Sequence, residues 1–305
     1  MVDGPTGIWG AVMLPIDVSG EIDWVALGDQ VDILCASDLA GIYTNGTAGE
    51  FHNQIEVEFE KLADMVAHIA RKSGKPFQIG VSNSNPRVAR RRLEQVAQLK
   101  PNAVQFTLPD WWPPSMEETG NFMSGMQETA GKTLLVLYNP PHAKTRLDAG
   151  QISNLRALAP GLVGAKLGGG DANWYTEHKK HLPDFSVFVP GHSVAYGRPL
   201  GASGSYSNVA CLSPNGAARH WEMIKTDPVT ATELETRINR FLSHYILPLS
   251  KRFHLSNPAL DKLLAAVGGW GPVGPRLLWP YCSANDEDVE TIAKAARREL
   301  PEIFS

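Results

Sequence analysis

A lysine and a tyrosine each close a short apolar segment of the sequence. Lys166 follows Leu162–Ala165, and Tyr138 follows Leu134–Leu137. An apolar, dry setting disfavours the ammonium form of a lysine, so its neutral amine becomes a competent nucleophile towards a carbonyl. This is the chemistry of Schiff-base formation, in which a neighbouring phenol would move protons. A lysine that extends to solvent or pairs with Asp171, and a tyrosine that only fills a core, are the structural alternatives.

A glycine-rich loop with the sequence Asn-Gly-Thr-Ala-Gly-Glu occupies residues 45–50. Gly46 and Gly49 would let backbone N–H groups converge on an anion, and Thr47 adds a hydroxyl group. The loop is therefore a candidate site for a small anionic substrate.

Composition limits the classes of protein to which the chain could belong. The 305 residues are 43% hydrophobic and 20% charged, which excludes disordered, collagen-like and low-complexity chains. The formal net charge of −4 gives no positive field for nucleic acid, which we do not expect as a partner. Cys35, Cys211 and Cys282 are too few and too far apart for a disulfide framework or a metal site, so we expect buried free thiols.

The sequence shows no targeting or membrane segment. Residues 1–5 lack a basic region followed by an apolar one, and no run of about 18 apolar residues follows. We therefore expect a soluble cytoplasmic protein with no membrane partner.

Short apolar segments alternate with longer amphipathic segments along the first two thirds of the chain, which is the signature of βαβ units on a parallel sheet. The candidate strands are Ile8–Leu14, Gly41–Thr44, Phe77–Val81, Ala103–Thr107, Leu134–Tyr138, Leu162–Lys166, Ser186–Val189 and Ala202–Tyr206. The helical patterns between them are Trp24–Ala36, Gln54–Lys72, Arg87–Leu99, Ser115–Ala130, Ala149–Leu158, Asp171–His181 and Val194–Leu200. We predict an α/β fold, a (β/α)8 TIM barrel, in preference to a doubly wound open sheet that would give a similar order of elements.

The pattern after the eighth candidate strand is entirely helical. The predicted helices are Asn215–Lys225, Val229–Phe253, Pro258–Val267 and Asp286–Leu300. We assign residues 1–225 to a catalytic barrel and residues 226–305 to a helical C-terminal extension. In a barrel the carboxyl ends of the strands face the active site, which would bring Lys166, Tyr138 and the 45–50 loop together.

The order and spacing of three short motifs resemble one known family. The motifs are Gly46-Thr47-x-Gly49-Glu50, Tyr138-Asn139-x-Pro141 and Gly164-x-Lys166, with Asn257-Pro258 and Lys262 further along the chain. The chain is similar to the dihydrodipicolinate synthase and N-acetylneuraminate lyase family of pyruvate-dependent class I lyases. The resemblance implies a (β/α)8 barrel with a helical extension, a homotetramer built as a dimer of dimers, and no metal or organic cofactor.

The resemblance also implies roles for individual residues. Lys166 matches the lysine that forms an imine with a 2-oxo acid, and Tyr138 matches the proton-relay tyrosine. Thr47, together with the neighbouring Gly46 and the backbone of Ala48, matches the loop that binds the substrate carboxylate.

Four positions depart from the pattern of the synthases. Ala48 replaces a second hydroxyl residue, and Trp111 stands where a tyrosine from across the dimer completes the proton relay, which an indole cannot do. Ala143 stands where an arginine binds the second substrate, and Tyr206 where an aliphatic residue lines the imine pocket. We therefore hypothesise that Tyr206, Trp111 and His142 define a different second substrate or leaving group, such as a sugar acid or a hydroxylated 2-oxo acid.

The leading functional hypothesis is a Schiff-base-forming lyase, which would act as an aldolase, synthase or dehydratase on pyruvate or a related 2-oxo acid. One alternative is dihydrodipicolinate synthase proper, which acts on pyruvate and aspartate semialdehyde. Another is a non-catalytic barrel that binds 2-oxo acids. A fourth is a phosphate-binding isomerase that would use Gly191-His192-Ser193 and Gly201–Gly204.

Overall fold

The computed structural model describes residues 4–305, so the first three of the five N-terminal residues considered above lie outside the described range. Eight parallel strands form a closed barrel in chain order, and the last pairs with the first. The strands are β1 (Gly7–Ala11), β2 (Gly41–Thr44), β3 (Phe77–Gly80), β4 (Ala103–Phe106), β5 (Leu135–Tyr138), β6 (Leu162–Lys166), β7 (Ser186–Phe188) and β8 (Gly204–Tyr206). The predicted TIM barrel is confirmed, and the open sheet is excluded.

Seven helices connect the strands and surround the barrel. They are α1 (Trp24–Ala36), α2 (Glu56–Ser73), α3 (Pro86–Ala97), α4 (Met116–Ala130), α5 (Ala149–Leu158), α6 (Ala172–His181) and α7 (Val194–Leu200). Helix α4 begins with a capping box in which the Ser115 hydroxyl accepts from the Glu118 backbone and the Glu118 carboxylate accepts from the Ser115 backbone. Helix α2 ends at Gly74, whose φ of 73° lies in the left-handed region that favours glycine.

Strand β1 is shorter than the predicted segment Ile8–Leu14. After one further bond, from the Val12 N–H to the Tyr43 carbonyl, the chain leaves the sheet. The side-chain amide of Gln30 then satisfies both backbone groups of Met13, at 2.8 and 2.7 Å. A side chain of α1 thus replaces a strand partner, which periodicity alone does not reveal.

The C-terminal part contains α8 (Asn208–Leu212), α9 (Pro214–Thr226), α10 (Pro228–Phe241), α11 (Leu247–Phe253), α12 (Asn257–Gly268), α13 (Asp286–Glu299) and α14 (Pro301–Phe304). The predicted single helix Val229–Phe253 is instead α10 and α11 joined by a π-helical turn at Leu242–Ile246. Pro248 has no N–H to donate, so a regular α-helical ladder cannot pass through it unbroken.

The extension packs on the mouth of the barrel. Helix α12 contacts α8 and the 3₁₀ turn Thr47–Gly49 that follows β2. Cys35 and Cys211 are buried as expected, but Cys282 is exposed because it lies in the irregular connector between α12 and α13. Within residues 4–305, no helix has both the length and the apolar character needed to cross a membrane.

Candidate active site

Lys166 and Tyr138 meet at the carboxyl ends of two neighbouring strands, as the sequence predicts. They are register partners in the β5–β6 pair, so both side chains leave the barrel at the same level. The Lys166 Nζ lies 4.4 Å from the centre of the Tyr138 ring, which is 8% exposed. The lysine is therefore partly buried against this ring and does not pair with Asp171, whose carboxylate instead caps α6.

Thr47 joins this pair through its hydroxyl group, which lies 3.4 Å from the Tyr138 hydroxyl. It opens the 3₁₀ turn Thr47–Gly49, in which Ala48 is buried, and Glu50 follows with a left-handed φ of 53°. Gly46 is required by close packing, since a Cβ there would lie 2.6 Å from Tyr43 Cε2. The three predicted catalytic residues thus form a chain that runs from the loop to the lysine.

A buried ion pair fixes this loop to the C-terminal extension. The Lys262 Nζ lies 2.5 Å from a Glu50 carboxylate oxygen, and both side chains are fully buried. The other Glu50 oxygen accepts from the Leu278 backbone at 3.0 Å, and Lys262 also donates to the Arg276 carbonyl. Burial lowers the pKa of Lys262, and the neighbouring Glu50 carboxylate opposes that effect.

A cavity of about 620 Å³ lies between Lys166 and the C-terminal helices. Tyr138, Tyr206 and His142 line it from the barrel and its loops, and the π-helical turn Leu242–Ile246 lines it from the extension. Its polar lining also includes His192, Asn208, Asn239, Ser243, Asn257 and Asp261. Among the described residues around this cavity, Lys166 is the sole lysine or arginine and Asp261 the sole carboxylate. The lining therefore offers many hydrogen-bonding groups but little net charge.

Three tyrosine rings surround the lysine nitrogen. Besides Tyr138, the rings of Tyr43 and Tyr206 lie with their centres 5.7 and 5.9 Å from Nζ. The Tyr206 hydroxyl points away from the cavity and donates to Gln78 Oε1 at 2.7 Å, and Gln105 donates to the same oxygen. Tyr206 therefore narrows the pocket with its ring, while its hydroxyl belongs to a polar network inside the barrel.

His142 borders two cavities. It lines the cavity of Lys166 and a smaller one of about 300 Å³ on the other side of Tyr138, which Thr47 and Lys144 also line. The segment that follows β5 thus lies between the two cavities. His142 could contact a ligand bound in either cavity.

Trp111 does not enter the active site of its own chain. Its side chain is 81% exposed and packs against Lys144, whose Nζ lies 5.6 Å from the indole. The neighbouring Trp112 is 84% exposed. The role of Trp111 across a dimer therefore remains a prediction about a second copy of the chain.

The sequence does not predict two residues that line the cavity beside Lys166, namely Tyr43 and Asp261. Tyr43 lies in the middle of an ordinary apolar strand, so no local signal marks it. Asp261 stands beside Lys262 on a helix, a pattern that is typical of a solvated helix face, yet it is partly buried and lines the cavity. Burial raises the pKa of Asp261 to about 6, while the charge on Lys166 opposes the shift.

Within residues 4–305, no group of three or more His, Cys, Asp or Glu side chains is arranged to hold a metal ion.

Comparison with known proteins places this chain in a family. The model of the dihydrodipicolinate synthetase family matches residues 4–298, so the chain belongs to that family. The N-acetylneuraminate lyase of Salmonella typhimurium is 25% identical over 243 residues, which cover 77% of this chain and 80% of the lyase. Family membership implies a pyruvate-dependent aldolase or lyase.

Solved structures confirm the fold. The wild-type sialic acid aldolase of Ruminococcus gnavus superposes with a TM-score of 0.84 at 18% identity, covering 98% of each chain. The 4-hydroxy-tetrahydrodipicolinate synthase of Methylacidiphilum fumariolicum gives 0.82 at 19% identity, covering 98% of this chain and 99% of the other. These two neighbours are named for different reactions, so the likeness supports the shared barrel and leaves the reaction to the site.

Proposed function

We propose that the protein is a Schiff-base-forming lyase that acts on pyruvate or a related 2-oxo acid through Lys166. The observation that carries the proposal is the position of the Lys166 Nζ, 4.4 Å from the Tyr138 ring centre at the wall of a cavity of about 620 Å³. The link from Tyr138 to Thr47 adds a hydroxyl beside the loop that would bind the substrate carboxylate. The candidates for nucleophile, proton relay and anion loop thus lie close together, which supports the proposal.

In this reaction the Lys166 amine attacks the ketone carbon of the 2-oxo acid to form a carbinolamine. Loss of water leaves an iminium, and Tyr138 supplies and removes the protons of these steps. The iminium attracts electrons, so when Tyr138 removes the proton of the C4 hydroxyl, the C3–C4 bond breaks and C4 leaves as an aldehyde. The electron pair of the broken bond forms an enamine. Protonation of the enamine and hydrolysis then release pyruvate and restore the amine.

We infer that the second substrate or leaving group is hydroxylated and carries no second carboxylate. Ala143 lines the smaller cavity at the position where the synthases are expected to carry an arginine. The larger cavity instead presents neutral donors and acceptors, among them His192, Asn208 and Ser243. Hydroxyl groups of a sugar acid would satisfy these side chains, whereas a second carboxylate in this larger cavity would find no lysine or arginine among the described lining residues other than Lys166.

Borohydride reduction tests the imine directly. The protein is reduced with and without pyruvate and is then studied by intact-mass analysis and peptide mapping. We expect a pyruvate-dependent adduct on Lys166, its loss in Lys166→Ala, and its retention in the control Lys225→Ala, whose lysine is exposed and paired with Glu222. An unmodified wild-type protein would contradict the proposal and favour a binding barrel or a phosphate-dependent isomerase.

A second experiment separates the substrate classes. Condensation of pyruvate with hydroxylated aldehydes is compared with condensation with aspartate semialdehyde. Preferential turnover of aspartate semialdehyde would identify a synthase and contradict the inference of a hydroxylated substrate.

We also propose a homotetramer built as a dimer of dimers. Trp111 and Trp112 are more than four fifths exposed beside the smaller cavity, and large exposed aromatic groups are typical of contact surfaces. Light scattering after size-exclusion chromatography tests the assembly. A monomeric wild-type protein would contradict it.

A further inference from the structure

Asp261 is an unpaired carboxylate inside the cavity of Lys166. It lies on α12, next to Lys262, which the buried pair with Glu50 holds in place. Among the described residues, none donates a hydrogen bond to its carboxylate, and the influences on its proton affinity are burial and the charge of Lys166. Asp261 is the sole carboxylate, and Lys166 the sole lysine or arginine, among the described residues that line this cavity, so the carboxylate is free to act on a molecule bound to Lys166.

Two of the titratable groups near Asp261 are poor candidates for a base. Tyr43 of β2 and Cys211 of α8 both have pKa values well above their usual range because they are buried. Both groups therefore stay protonated near neutral pH. The remaining charged neighbour is Lys166 of β6, which the imine would occupy. Asp261 is the sole carboxylate among the described residues that line the cavity, and its pKa of about 6 suits proton transfer near neutral pH. The imidazoles of His142 and His192 line the same cavity, so a His192→Ala variant must be compared with Asp261→Asn.

The charge of the site changes along the reaction of the proposed function, on which this inference rests. In the free protein the charge on Lys166 favours the carboxylate form of Asp261, and the positive iminium takes the place of that charge after substrate binds. When the iminium becomes an enamine, the nitrogen is neutral and the carboxylate loses its counter-charge. The proton affinity of the Asp261 carboxylate therefore rises during the step in which C3 loses a proton.

We propose that Asp261 is the base that removes a proton from C3 of the Lys166-bound pyruvate iminium, and the acid that returns it to the enamine. The C3–H bond breaks, its electron pair forms the C2–C3 double bond, and the electrons of the C–N double bond return to nitrogen. The proton moves to an Asp261 oxygen. In the reverse direction the same carboxylic acid protonates C3 before pyruvate is released, so atoms and electrons balance with no further reactant.

Exchange of the pyruvate methyl protons in D₂O, followed by proton NMR, measures this step without knowledge of the second substrate. We expect Asp261→Asn to slow the exchange by at least about 100-fold, the lower end of a general base contribution. Borohydride trapping of pyruvate on Lys166 should persist in this variant, because imine formation uses Tyr138. Asp261→Glu keeps a carboxylate and should restore part of the exchange. Glu290→Gln removes an exposed carboxylate of α13 and serves as the matched control.

Several outcomes would overturn the proposal. Unchanged exchange in Asp261→Asn would do so, as would loss of exchange in His192→Ala but not in Asp261→Asn. If Asp261→Asn lost both borohydride trapping and proton exchange, Asp261 would be needed to form the imine site, and its role as the base would be contradicted. Absence of trapping in the wild-type protein would instead refute the underlying Schiff-base function, and the two failures are thereby distinguished.

Discussion

The Lys262 Nζ and a Glu50 carboxylate oxygen lie 2.5 Å apart, with neither side chain exposed to solvent. Glu50 ends the loop that carries Thr47, and Lys262 follows Asp261 on α12. One ion pair thus positions both the loop with Thr47, which is the candidate site for the substrate carboxylate, and Asp261, which is the candidate base. This explains how a C-terminal extension distant in sequence becomes part of a site built on barrel strands.

Removal of one partner of this pair should destabilise the protein strongly. Lys262→Met leaves the Glu50 carboxylate buried without its cation, and we expect a loss of about 3–5 kcal/mol in the free energy of unfolding. Urea denaturation measures the loss. Glu128→Gln is the control, since it breaks an exposed pair with Arg90 and should cost at most about 1 kcal/mol. Equal small losses in both variants would contradict the structural role of the buried pair.

Asp261→Asn should stabilise the protein above pH 6. The pKa of Asp261 rises from 3.8 to about 6 on folding, so the folded state favours the protonated form. The favourable contribution is fully present below pH 3.8 and is lost as the pH rises through 6. Two pKa units correspond to at most about 3 kcal/mol. Thermal unfolding at pH 4 and pH 7.5 checks this.

The stability gain of Asp261→Asn should grow between the two pH values and level off above pH 6. A gain that is the same at pH 4 and pH 7.5 would mean that ionisation of Asp261 does not cause it. Glu290→Gln again serves as the control and should shift the melting temperature little at either pH.

Tyr206→Phe should affect stability more than specificity. The Tyr206 hydroxyl donates to Gln78 at 2.7 Å inside the barrel, so its loss should cost about 1 kcal/mol in the free energy of unfolding. The phenyl ring still narrows the pocket, and kcat/KM for the cleaved 2-oxo acid should stay near the wild-type value. Tyr206→Leu changes the shape of the pocket and should alter kcat/KM for different substrates unequally.

Steady-state assays of released pyruvate measure both Tyr206 variants against a panel of 2-oxo acids. A tenfold fall in kcat/KM for Tyr206→Phe, which is about 1.4 kcal/mol, would show that the hydroxyl contacts the substrate. His142→Ala belongs in the same panel. If neither His142→Ala nor Tyr206→Leu changed kcat/KM for any substrate, the specificity hypothesis would fail.

The barrel and the Lys166–Tyr138 pair could be predicted because both follow from local patterns. Apolar segments of strand length end at these two residues, and adjacent parallel strands carry their ends to one side of the barrel. Thr47 could be added because the family motif fixes its distance along the chain. The fold and the Lys166–Tyr138 pair could thus be predicted from the hydrophobic periodicity, the lengths of the apolar segments and their order along the chain.

Asp261 and the hydroxyl of Tyr206 could not be predicted, because their environments are tertiary. The sequence Leu260-Asp261-Lys262 has the charges of a solvated helix face, but packing of α12 on α8 and the 47–49 turn buries Lys262 and turns Asp261 towards the cavity. The direction of the Tyr206 hydroxyl depends on Gln78, which lies 128 positions away. The sequence does not predict the π-helical turn at Leu242–Ile246, because one extra residue in a turn leaves the amphipathic pattern almost unchanged.

Gly46→Ala should impair substrate binding while the fold remains intact. The φ of Gly46 is −86°, which suits any residue, so the effect arises from contact alone. The added Cβ would lie 2.6 Å from Tyr43 Cε2, and either the tyrosine ring or the loop that carries Thr47 must move. A misplacement of this kind at a binding loop can lower kcat/KM by about 100-fold. Steady-state kinetics with varied pyruvate measures the effect as a raised KM.

Gly28→Ala is the matched control, because its added Cβ meets no atom within 4 Å and an alanine in α1 should stabilise the helix by about 1 kcal/mol. Unchanged KM in Gly46→Ala would show that the loop does not hold the carboxylate.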